Sequence, residues 1–96
     1  MLKPIILALT LLTTAPAQAQ PADCALVGDV AQSIMEERQS GVPMSDAMRV
    51  AGDNEALRAM VVAAYSYPRF SSDSYRKEAA TDFRNEIELI CYGTGT

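Results

Sequence analysis

The chain has 96 residues with 8 Lys+Arg, 12 Asp+Glu, no His, no Trp and 2 Cys, a formal net charge of −4. That length holds one small domain at most, and the acidic balance argues against phosphate-backbone binding, which needs a basic patch. With no imidazole, Ser-His-Asp and Cys-His triads are excluded, and with the two thiols expected to be oxidised only carboxylates remain, which argues against a zinc centre.

Residues 1–19 differ in composition from the rest. Lys3 precedes an apolar run from Ile5 to Leu12, and Ala17-Gln18-Ala19 supplies small residues at a cleavage position. This order is that of a secretory signal peptide; Thr13, Thr14 and Pro16 end the run well short of the roughly 20 apolar residues a spanning helix needs. The expectation is export to the periplasm or beyond, and a mature single domain over residues 20–96 that is not inserted in the membrane. Cys24 and Cys91 would then sit in an oxidising compartment, where one pairing is open to them. Their separation argues for a structural bridge and against a Cys-x-x-Cys redox pair.

Spacings of three and four recur through the mature segment and alternation is absent, so the expected class is all-α. The first helix is expected over about residues 23–39, with Asp23 as its N-cap, Leu26, Val27, Val30, Ile34 and Met35 on its inner stripe, and Gly41 and Pro43 beyond its end. A short helix follows over residues 46–51 with Met48 and Val50 partly inward, and Gly52 breaks it. A third runs from Asp53-Asn54 to about Tyr67, with Leu57, Met60, Val61 and Ala64 inward, and is stopped by Pro68. The last and longest covers about residues 73–92, with Tyr75, Ala79, Phe83, Ile87, Ile90 and Cys91 inward, Gly93 placed as its cap, and Asp73–Lys77 and Arg84–Glu88 as surface pairs. The sum is a small bundle of three main helices and one short one, closed by a Cys24–Cys91 disulfide near its termini.

Ser74-Tyr75-Arg76-Lys77 matches the S-x-x-K pattern of penicillin-binding enzymes, but a chain this short lacks their scaffold and further motifs. Glu78, Asp82 and Glu86, with Glu88 nearby, read first as a solvated acidic face and second as a surface for a partner. Met35, Met44, Met48 and Met60 fall at helical spacing and read as core filling, not as a copper site. The most informative stretch is Tyr65-Ser66-Tyr67-Pro68-Arg69-Phe70, which crowds aromatics and an Arg into one loop. Tyr and Arg are enriched at binding hot spots, so Tyr65, Tyr67, Arg69 and Phe70 are candidate partner-binding residues; the competing reading is that they cap the core.

Cys24, residues 34–45 (Ile34-Met35-Glu36-Glu37-Arg38-Gln39 through Ser45), the Ala64–Phe70 stretch and Phe83-Arg84-Asn85 before Cys91 together resemble a group of small exported helical proteins of proteobacteria whose role is unknown. The resemblance spans nearly the whole mature chain, and it implies export and a helical fold but no activity. The functional expectation is a non-enzymatic protein with no catalytic residues, cofactor or metal, binding an unidentified envelope protein in the manner of an inhibitor or immunity module. Mutating Arg69 or Phe70 is expected to weaken that complex without unfolding the bundle. The alternative is a periplasmic acid-stress chaperone of the HdeA kind, which, lacking His, would have to switch near carboxylate pKa values of about 4.

Overall fold

The computed structural model describes residues 23–94, so the expected signal peptide lies outside the described residues. It contains four helices and, among those residues, no strand: α1 (Cys24–Ser40), α2 (Met44–Ala51), α3 (Glu55–Tyr65) and α4 (Asp73–Gly93). The all-α bundle of three main helices and one short one is therefore present.

Each helix start has a local cause. Asp23 Oδ1 accepts from the Leu26 amide at 3.2 Å, Asn54 Oδ1 from the Leu57 amide at 3.0 Å, and Ser72 Oγ from the Tyr75 amide at 3.2 Å. These side chains satisfy amides that a helix leaves without partners in its first turn. α2 is entered instead through Pro43, whose fixed φ of −62° suits the step into a helix. α1 ends in a Schellman turn: Gly41 at φ 91° donates to the Arg38 carbonyl at 3.1 Å, and Val42 donates to the Glu37 carbonyl at 3.0 Å. α3 stops at Tyr65, two residues before the expected end. The Ser66 amide is shared between the carbonyls of Val62 and Ala63, and the Tyr67 amide turns to that of Ala64, so the last turn tightens ahead of Pro68.

α1 and α4 form the most extensive contact, with α3 across one side of the pair and α2 packed mainly on α3. Cys24 and Cys91, with Cα atoms 5.7 Å apart, are joined by a disulfide, which makes α1 and α4 antiparallel neighbours. The main core is Ala31, Met35, Ala64, Ala79, Ala80 and Phe83, and a second cluster is Ala47, Ala51 and Val61.

Several residues expected to face inward do not. Leu26 is 59% exposed, Val50 82%, Tyr75 60% and Ile90 57%. The buried stripe of α1 is instead Cys24, Gly28, Ala31, Met35 and Gln39, mostly small residues that let α4 come close. Gly28 shows how close: a Cβ there would collide with the Glu88 carboxylate. In α2 the inward positions belong to Ala47 and Ala51, with Met48 half-buried, and Val50 points away. Side-chain size was a poor guide because the closest helix contacts select small residues, leaving larger ones on the flanks.

Charged residues add a second tie between α1 and α4. Arg84 reaches Asp29 at 2.6 Å, Gln32 Oε1 at 2.9 Å, the Ala25 carbonyl at 3.3 Å and Glu88 at 2.8 Å, and the hydrogen bond to Asp29 is the foremost cause that raises its pKa. The Arg84–Glu88 pair was expected. Asp73 pairs with Arg76 at 3.7 Å and not with Lys77. No described helix is long and apolar enough to cross a membrane.

Candidate binding site

The stretch from Tyr65 to Phe70 lies where the end of α3, the end of α1 and the start of α4 meet. Gln39 organises it. The last turn of α1 places this side chain inside the fold, 2% exposed, where Nε2 donates to the Pro68 carbonyl at 2.9 Å and Oε1 accepts from the Phe70 amide at 2.8 Å. A single buried amide thus satisfies a loop carbonyl and a loop N–H that no helix or sheet provides for.

Neighbouring side chains complete the attachment. Arg38 Nε donates to the Tyr67 carbonyl at 3.0 Å, and its guanidinium carbon lies 5.4 Å from the centre of the Tyr65 ring. Arg76, from the first turn of α4, donates to the Phe70 carbonyl at 2.7 Å. The Tyr65 hydroxyl donates to the Val42 carbonyl at 2.7 Å. Arg69 Nε donates to the Gln39 carbonyl at 2.9 Å, closing the exchange between the loop and the end of α1.

The aromatic side chains are half-buried. Tyr67 meets Phe83 edge to face with ring centroids 5.6 Å apart, and its hydroxyl makes a short hydrogen bond to Glu86. That bond to a carboxylate is the main reason its pKa is pushed up to about 12, with burial adding to it. Burial, followed by the charge of Glu37, also raises Tyr65. Phe70 packs against the main core and lies 6.1 Å from the Tyr75 ring.

Of the four candidate residues, Tyr65, Tyr67 and Phe70 are therefore engaged with the core and its edge, whereas Arg69 is exposed. Its guanidinium lies over Gly41, 3.3 Å from where a Cβ would stand, so glycine serves there both the left-handed backbone and the passage of the arginine. The terminal nitrogens of Arg69 have no hydrogen-bond partner among the described residues. Phe70→Ala would consequently remove a contact with the core as well as any contact with a partner.

Beside the loop, α1 and α4 leave a cleft of about 450 Å³ whose walls include Gln32, Glu36, Ser40, Asp73, Arg76 and Lys77. Its walls carry both signs of charge, and the arginine and amide at its loop end already hold the loop. The remaining sequence patterns are dispersed. Glu86 serves Tyr67 and Glu88 serves Arg84, while Glu78 and Asp82 are exposed. Among the described residues no group of three or more His, Cys, Asp or Glu could hold a metal ion. Ser74 and Lys77 are both exposed.

Gln39, the loop contacts of Arg38 and Arg76, and the reach of Arg84 across to α1 escaped the sequence reading. For Gln39 a signal existed: it lies four residues after Met35 and directly before the helix end, a polar side chain on an inward stripe. These arginine contacts carry no such mark, because they reach backbone carbonyls and side chains 6 to 59 positions away. Compared with protein-family models, with curated proteins and with solved structures, the chain finds no match.

Proposed function

We propose that this chain is a small exported, non-enzymatic protein that acts by binding another protein of the cell envelope, with Arg69 and the adjoining cleft rim at the centre of the contact. The observation that carries this reading is the way the loop is held. Hydrogen bonds from α1 and α4 fix its backbone on both sides of Arg69, yet the arginine is exposed and its terminal N–H groups have no hydrogen-bond partner among the described residues. A fixed loop loses little conformational freedom on association, and an arginine with a free planar fork is a frequent anchor for carboxylates and carbonyls. The signal-like segment and the disulfide support the envelope as its place of work. In this reading Tyr65, Tyr67 and Phe70 contribute by shaping the loop, with their exposed edges available to the partner.

The test is affinity capture from envelope extract with the oxidised 20–96 chain, comparing wild type with Arg69→Ala and identifying retained proteins by mass spectrometry. A protein held by wild type and lost by the variant, with unchanged helix content, is the expected result. Equal retention by both removes Arg69 from the site.

One observation favours a second reading, the acid-stress chaperone. Arg84 on α4 is tied to α1 partly by its ion pair with Asp29, and an ion pair between helices is a contact that acid weakens. Leu26, Leu89 and Ile90, on the same two helices, are already exposed. Suppression of client aggregation at about pH 2–3 but not at pH 7 would establish this reading, and equal behaviour at both would end it.

A further inference from the structure

α1, α2 and α3 leave a groove of about 220 Å³, sharing no wall residue with the cleft beside Arg69 and walled by Val30, Ile34, Val50, Leu57 and Val61, with Glu37 as its one charged wall residue. Two of the apolar residues stand at the surface, Val30 at 36% and Val50 at 82% exposed. The volume is below the roughly 300–1,000 Å³ of small-molecule sites, so the groove suits a side chain delivered by a polypeptide better than a free ligand. Glu37 is exposed and forms no ion pair among the described residues.

We propose that this groove is a second docking surface, and that its occupant is a cationic amphipathic segment of a partner protein, inserting one large aliphatic side chain and setting a Lys or Arg against Glu37. Charge decides the occupant. The groove offers a carboxylate without a partner, and the chain as a whole carries −4, so a basic segment is attracted and an acidic one repelled. A second copy fits poorly: it brings the same net charge, and Arg49, the cation beside its Val50, is already paired with Asp46 at 2.5 Å. The geometry is that of a helix laid in a groove, with an aliphatic anchor and a charged flank. This surface is separate from Arg69, so it stands or falls independently of the loop.

The experiment uses a fluorescently labelled Leu/Lys amphipathic helical peptide and its Leu/Glu counterpart as probes, with binding to the oxidised chain read by anisotropy. Wild type binds the Leu/Lys probe, Val50→Gln and Glu37→Gln each weaken it roughly fivefold or more, Glu37→Gln flattens the salt dependence, and Asn85→Ala, at an exposed position of α4 outside the groove, leaves binding unchanged. Both substituted side chains are exposed, so helix content is expected to stay constant in circular dichroism. Binding of the Leu/Glu probe as tightly as the Leu/Lys probe, or unaltered affinity in both groove variants, overturns the proposal. A wild-type dimer in sedimentation that Val50→Gln dissociates also overturns it, by making a second copy the occupant.

Discussion

Gln39→Ala is the most informative single substitution. It deletes the acceptor of the Phe70 amide and the donor to the Pro68 carbonyl, at 2.8 and 2.9 Å, in a site from which water is largely excluded. Leaving a buried polar group without its partner costs about 1–3 kcal/mol, and the lower half of that range applies to loop groups that are only part-buried, so the two together come to about 2–4 kcal/mol. At about 0.05–0.15 kcal/mol per residue, a domain of this size has of the order of 4–11 kcal/mol in all. One side chain would thus remove about a fifth of the stability or more, lowering Tm by roughly 8 °C or more at about 4–8 °C per kcal/mol. Urea titration of the oxidised chain followed by circular dichroism measures the loss, and amide exchange at Phe70 reports the freed loop. Gln39→Met preserves volume while removing both hydrogen bonds, and a comparable loss in it assigns the effect to the bonds. A change below about 0.5 kcal/mol in Gln39→Ala with Phe70 still protected would refute the view that this amide holds the loop.

Other perturbations follow from the same structure. Replacing both cysteines by serine removes a closure between residues 67 positions apart, which the chain-entropy model values at roughly 4 kcal/mol, and urea midpoints with and without reductant measure it. Gly41→Ala forces a Cβ into φ 91° and against the Arg69 guanidinium, lowering stability by about 1–2 kcal/mol in the same titration. Tyr67 has a folded-state pKa of about 12 against an ordinary value near 10, so its contribution is complete below pH 10 and declines as pH rises through 12. Ultraviolet titration of Glu86→Gln should show that proton leaving at lower pH than in wild type. Export predicts that envelope fractions contain a chain whose intact mass begins at Gln20; full-length chain confined to the cytoplasm would contradict it.

The helices were legible because their signals are local. Asp23, Asn54 and Ser72 cap at the expected places or within a residue of them, and Gly41 and Pro68 lie where the chain leaves helix. The disulfide was legible because two cysteines admit one pairing. Which face each helix buries was less so, since Leu26 and Val50 outrank Gly28 and Ala47 in hydrophobicity yet lose to them at close helix contacts, where size governs. The loop was found as a cluster of aromatics and an arginine; its core-capping reading describes Phe70 and Tyr67, which pack on the core, while Arg69 is exposed. The attachment of that loop was hidden. It depends on Gln39, Arg38 and Arg76 meeting backbone carbonyls, and such pairings follow from tertiary position, which residue spacing does not encode.

The central element of the proposed function is that Arg69 faces a partner in the envelope. A photo-crosslinking amino acid placed at position 69 in the living cell, with position 62 on the exposed side of α3 as control, tests this directly. The expected result is one discrete heavier species after irradiation at position 69 and none at position 62. No adduct at position 69, or the same adducts at both positions, would contradict the claim.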